Sequence, residues 1–262
     1  MIASFKLINN NNEVYDLNDV SHIAQNFSGL GVDLSNSYIS LGENFKINSK
    51  DSNQSTLSFD LIFGADNVNP YLGYKKFGEF LMNAPITFQY TLDNDQVLRD
   101  IDFSSIEKGE INTYSELSCN VKFKCLTPYY EIKKYRNDDF VNNELTVTTK
   151  SNTFVGGGNS PVVIKIIDSA ANPYWVVNQN GKKYCDDGYI TILNKGDILT
   201  VDSRPSKVIP YIQHSDGSTE SAYQLQNLNY SGFVTLPNGT STLKISNASN
   251  YEVTIIQYRS MF

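Results

Sequence analysis

One helical rhythm stands between strand-like segments at residues 57–92, in a chain whose other apolar patterning repeats every two residues. Leu57, Phe59, Leu61 and Phe63 alternate with Ser58, Asp60 and Ile62, the pattern of a strand with one buried face. A polar turn follows. Pro70 then stands where a missing N–H costs nothing, at a helix start. From 70 to 83 the spacing changes: Tyr71, Tyr74, Phe77 and Leu81, with Phe80 beside them, recur every three or four residues. Lys75, Lys76 and Glu79 take the opposite side. Pro85 stops the helix, and Ile86, Phe88, Tyr90 and Leu92 resume the alternation. A lone helix bracketed by strands must lie across a sheet, since no second helix covers its apolar stripe. The expected fold class is mainly β.

Residues 97–103 alternate again, as do 117–125, where Leu117, Cys119, Val121, Phe123 and Cys125 share one face. That run stops at Thr127-Pro128-Tyr129-Tyr130. The order of features is Phe5-Lys6-Leu7, a turn and Tyr15-Asp16-Leu17, then Gly29-Leu30-Gly31, strand–helix–strand, and this stop. It resembles the distal tail proteins of siphophages infecting Gram-positive bacteria, closely over the first half and loosely over the second. The resemblance implies an N-terminal β-sandwich or barrel-like, ring-forming domain with one α-helix, followed by a galectin-like β-sandwich.

At 262 residues the chain has room for two domains of ordinary size. The alternation lapses into charge between 131 and 143, which makes this the expected boundary. The expected domains are 1–132 and 140–250, with residues 251–262 either completing the first domain or remaining with the second. The second half offers short strands at 144–149, 161–167, 188–193, 198–202, 242–246 and 251–258. Turn signals separate them at Gly156-Gly157-Gly158, Asn180-Gly181, Lys195-Gly196-Asp197, Asp216-Gly217 and Asn238-Gly239, as in an antiparallel sandwich.

The formal charge of −7 and basic clusters no larger than a pair argue against nucleic-acid binding, which needs a concentrated basic face. No run approaches the ~18–20 apolar residues of a membrane span, and the first residues lack a secretory pattern. Three cysteines imply no disulfide framework: Cys119 and Cys125 lie about 20 Å apart along one strand, and Cys185 sits near a turn.

Catalysis has little to stand on. His22 and His214 belong to no nucleophile motif and to no His/Cys spacing that would hold zinc. Asp93-Asn94-Asp95 reads as a hairpin turn, Asp100 and Asp102 as a solvated strand face, and Asp186-Asp187 as a turn-like acidic pair. None identifies the two carboxyls that a glycosidase holds across a cleft. Gly29 and Gly31 read as backbone turns that allow close strand approach. Tyr174 and Trp175, with Tyr184 nearby, are the candidate platform for a saccharide or a partner, Trp175 being the only tryptophan. The alternative for Trp175 is a place in the sandwich core.

The expectation is therefore a structural protein with no catalytic residue, cofactor or metal. The resemblance implies a hexameric ring at the distal end of a phage tail, assembled in the bacterial cytoplasm. Its implied partners are the tail tube protein above, the tail-associated protein below, and receptor-binding or baseplate proteins outside. The alternative is a carbohydrate-binding module that touches the host cell wall through the second sandwich.

Overall fold

The computed structural model describes residues 3–31, 34–52, 54–64, 69–93, 95–150, 159–204 and 210–259. They form two units. The first holds the described residues up to Glu131 together with Arg259, and the second holds 132–150 and 159–258 with the segment between 204 and 210 outside the description.

The first unit opens with β1 (Ala3–Ile8), β2 (Val14–Asp16), β3 (Asn18–Asp19) and β4 (His22–Ser28). A hairpin of β5 (Leu34–Leu41) and β6 (Asn44–Ser52) follows, then β7 (Thr56–Phe63). Helix α1 (Pro70–Leu81) separates β7 from β8 (Ile86–Leu92), β9 (Asp95–Ile111) and β10 (Leu117–Cys125). Every pairing is antiparallel, in the order β2-β1-β8-β9-β10-β7-β4-β3. Strand β9 is long enough to serve twice: Asp95 to Ile101 pair with β8, and Ile101 to Ile111 pair with β10. Both halves feed one core. Leu7, Ile86, Phe88 and Val97 meet Leu57, Phe59, Leu61, Phe63, Cys119, Val121 and Phe123 there. The strict alternation of burial along β7 follows from its sequence: every apolar odd position from Leu57 to Phe63 is buried.

Helix α1 begins as its sequence directs. The Asn69 side chain accepts from the Tyr71 N–H at 3.0 Å, and Pro70 follows the cap. Phe77, Phe80 and Leu81 are buried against the sheet. The helix ends at Leu81, two residues before the expected Asn83. Tyr71, expected on the buried face, is exposed in the first turn, where Lys108 Nζ stands 4.8 Å from its ring centroid.

The charged stretch after Tyr130 is a strand, β11 (Tyr130–Arg136), although its sequence lacks apolar alternation. It pairs with β9 through Tyr130 and Leu98 and also neighbours the final strand. Lys133 donates to Gln257 at 3.3 Å, and Arg136 lies 3.4 Å from Glu252, so polar partners support these side chains.

The second unit contains β12 (Glu144–Thr149), β13 (Ser160–Ile167), β14 (Ala170–Gln179), β15 (Lys182–Gly188), β16 (Ile192–Leu193) and β17 (Ile198–Asp202). It continues with β18 (Tyr211–Gln213), β19 (Thr219–Ser221), β20 (Thr235–Leu236), β21 (Gly239–Ala248) and β22 (Tyr251–Tyr258). One sheet has the order β12-β21-β14-β15, with β16 on β14. The other runs β19-β18-β17-β13-β22-β11, with β20 on β13. Leu145, Val147, Trp175, Val177, Leu243 and Ile245 of the first sheet share a core with Val162, Ile164, Ile166, Leu199, Val201, Val253 and Ile255 of the second. Two packed antiparallel sheets make a β-sandwich. Strand β22 pairs with β13 inside this unit, while residues 260–262 lie outside the description. The glycine turn at 156–158 also lies outside it.

Candidate functional site

The three aromatic residues singled out from the sequence do not form one platform. Trp175 on β14 is fully buried, its ring 5.8 Å from that of Tyr189, so it offers no face to a ligand. The reason is register: Pro173, Trp175 and Val177, alternate positions of β14, face the sandwich core. Tyr174, one residue earlier, points to the other face. There it stacks on Tyr230 with ring centroids 5.9 Å apart. Gly188, directly across from Tyr174, makes that packing possible, because a Cβ there would stand 2.6 Å from the Tyr230 ring. Tyr184 is exposed. It is the unmatched residue where the β14–β15 register shifts between Val177 and Asn178, and its hydroxyl accepts from Asn159 Nδ2 at 2.7 Å.

The acidic pairs likewise remain apart. Asp186 and Asp187 are successive residues of one strand and so face opposite ways. Asp187 is fully buried, and its Oδ1 accepts from the Gly188 N–H at 2.9 Å and from Gln226 Nε2 at 3.0 Å. Burial pushes its carboxyl up to about 6. Burial acts on Asp186 in the same sense but is outweighed by Lys183, at 2.8 Å, and by two bonds from Ser231, so its carboxyl is held below the usual range. Two such carboxyls share no cleft. Asp100 accepts from the Tyr130 hydroxyl at 2.6 Å, and Asp95 pairs with Arg259 at 2.6 Å. Asp93 takes a left-handed turn conformation, φ 52°, while Asn94 lies outside the described residues.

Both histidines have structural partners. His22 is buried, with Nδ1 2.9 Å from Ser21 Oγ and its ring stacked 4.6 Å from that of Tyr15. His214 lies 3.3 Å from Asp197 and 3.6 Å from Glu220. Among the described residues, no group of three or more His, Cys, Asp or Glu is arranged to hold a metal ion, and no helix is long and apolar enough to cross a membrane.

Two features escaped the sequence reading. The first is a strap, residues 222–232, laid along edge strand β15. The Asn227 N–H donates to the Gly188 carbonyl at 2.8 Å, the Gly232 N–H to that of Asp186 at 3.0 Å, and the Ile190 N–H to that of Leu225 at 2.8 Å. The turn-forming run Asn227, Asn229, Ser231 and Gly232 was its only sequence signal.

The second is the β5–β6 hairpin. Its two strands pair only with each other among the described residues. Four large apolar side chains near its tip lie open: Tyr38 at 57%, Ile39 at 48%, Leu41 at 58% and Phe45 at 74% exposure. A two-stranded ribbon is marginal alone. Its sequence signal was the turn at Gly42, φ 69°, between apolar residues.

Residues 4–126 match the family model for the N-terminal domain of the distal tail protein. By this match the first unit carries a distal tail protein N-terminal domain. The whole fold is similar to a chain of the phage P2 baseplate in its activated conformation with calcium. That similarity has a TM-score of 0.76 at 14% identity and covers 99% of both chains. It is also similar to the SPP1 Dit protein (gp 19.1), described as a paradigm of hub adsorption apparatus in phages infecting Gram-positive bacteria. There the TM-score is 0.62 at 11% identity, covering 97% of this chain and 98% of that one. No curated protein sequence matches the chain. At these identities the structural matches show a shared fold alone.

Proposed function

We propose that this protein is a distal tail protein acting as a structural hub, six copies closing into a ring at the distal end of a phage tail. Residues 1–132 make the ring, and residues 140–250 form an outer domain that carries baseplate or receptor-binding components. The ring joins the tail tube protein on one side to the tail-associated protein on the other. It assembles in the bacterial cytoplasm, acts within the virion, and works without catalysis or cofactor.

The observation that carries the ring is the β5–β6 hairpin, with Tyr38, Ile39, Leu41 and Phe45 open near its tip. An exposed apolar group of this kind marks an association surface. A hairpin seated on a different surface of the next copy makes a head-to-tail contact, and repetition of that contact closes a ring when the rotation permits. The test is mass in solution. Tyr38→Ser with Phe45→Ser should shift the protein from ring to protomer while the far-ultraviolet spectrum stays unchanged. An unaltered ring mass would remove the hairpin from the contact.

The saccharide reading is the weaker proposal. Trp175 is unavailable to it, which leaves Tyr184 and the partly covered Tyr174.

A further inference from the structure

Apart from Ser241 Oγ on β21, three polar side chains in the second unit are buried without a hydrogen-bond partner among the described residues: Trp175 at Nε1, Tyr189 at its hydroxyl and Asp187 at Oδ2. They are neighbours. Trp175 and Asp187 are direct cross-strand partners, which places their side chains on the same face. Tyr189 follows Asp187 by two residues, and its N–H continues the ladder to the Pro173 carbonyl at 3.0 Å, so it shares that face too. The Trp175 and Tyr189 rings stack with centroids 5.8 Å apart. Burial and then the Asp187 charge both push the Tyr189 phenol up, which places the carboxylate within electrostatic reach of the hydroxyl.

An unmade hydrogen bond in a core costs about 1–3 kcal/mol per group, so three together demand an explanation. The chemistry of the set supplies one. Indole N–H and phenol O–H are donors, and Asp187 Oδ2 is an acceptor, yet none lies within bonding distance of another. A single bridging molecule that accepts twice and donates once satisfies all three. Buried waters typically make about three such bonds.

We propose that one water molecule is bound at a fixed site in the core of the second unit, accepting from Trp175 Nε1 and the Tyr189 hydroxyl and donating to Asp187 Oδ2. The water ties β14 to β15 from the core side, opposite the face on which Ser231 of the strap binds Asp186. This site is independent of the ring.

Two measurements on the full chain test it. In a crystal structure resolving ordered solvent, one solvent peak should lie within hydrogen-bond distance of all three atoms. A dry site, or direct bonding between Tyr189 and Asp187, overturns the proposal. In solution, Trp175 as the only tryptophan gives one indole N–H signal, which should show a cross-peak to a long-lived water. Tyr189→Phe should shift that signal and weaken the cross-peak. An unmoved signal with the cross-peak intact contradicts the assignment, and if the variant does not fold, the wild-type density still decides.

Discussion

The guanidinium carbon of Arg99 stands 4.9 Å from the centroid of the Tyr129 ring, inside the first unit. Arg99 is only 6% exposed, and the groups that accept its hydrogen bonds are all neutral. Nε donates to the Thr127 carbonyl at 2.9 Å, Nη1 to the Gly29 carbonyl at 3.3 Å, and Nη2 to Ser55 Oγ at 2.6 Å. One side chain thus joins β9, the Gly29 loop, the start of β7 and the Thr127-Pro128-Tyr129-Tyr130 stop. The fork and the flat face are both used, and lysine reproduces neither.

Arg99→Met should therefore lower stability by about 3 kcal/mol, since it leaves buried acceptors unmade. Arg99→Lys should recover less than half of that loss. Urea midpoints read both values, and a loss below about 0.5 kcal/mol for the methionine variant would show that the hub of bonds is dispensable.

Gly29 and Gly31 make a matched pair. Gly29 has φ 81°, and a Cβ there would stand 1.9 Å from the Thr56 carbonyl oxygen. Alanine at 29 must move the backbone and should cost on the order of 3 kcal/mol or more. A Cβ at Gly31 meets nothing within 4 Å, so Gly31→Ala should change stability by less than about 0.5 kcal/mol. Equal losses at the two positions would refute the close-approach explanation.

These contacts also show where sequence patterning succeeds. Strands β7 and β10 were legible because each buries one face in its own unit, so burial writes a period of two into the residues. Helix α1 was legible through its stripe and its flanking prolines. Strand β11 was not, because its backbone pairs while long polar side chains line it. The β5–β6 hairpin was hidden for a related reason: Tyr38, Ile39, Leu41 and Phe45 are exposed rather than buried on one face, so no periodicity of burial marks them. Trp175 could be named as important from the sequence but not placed. Composition is silent on which face of β14 it occupies. The strap binds Asp186 from 45 positions away through Ser231, a separation at which neither residue announces the other.

Asp187 gives the protein a pH dependence of stability. Its folded carboxyl is pushed to about 6 against 3.8 for the free group, mainly by burial. Gln226 and the Gly188 N–H favour its charged form, whereas Asp186 opposes it. A raised carboxyl favours folding when protonated. Its contribution is complete below the unfolded value and is lost as pH rises through the folded one. The upper bound is about 3 kcal/mol. Asp186, whose carboxyl is lowered, acts in the opposite sense as acid is added. Relative to Asp187→Asn, the wild type should gain thermal stability between about pH 7.5 and about pH 5. Parallel melting curves for the two proteins across that interval would contradict a buried, titrating Asp187.

The ring is the central claim, and its mass tests it most directly. A stable head-to-tail contact buries roughly 1,200–2,000 Å², so occupancy of the ring should rise with concentration. Sedimentation equilibrium of the 262-residue chain, dilute and concentrated, with and without an added baseplate protein, should reveal a species of six protomer masses that dominates at high concentration. A strict monomer under every one of these conditions, with no rings in negative-stain images, would contradict the account.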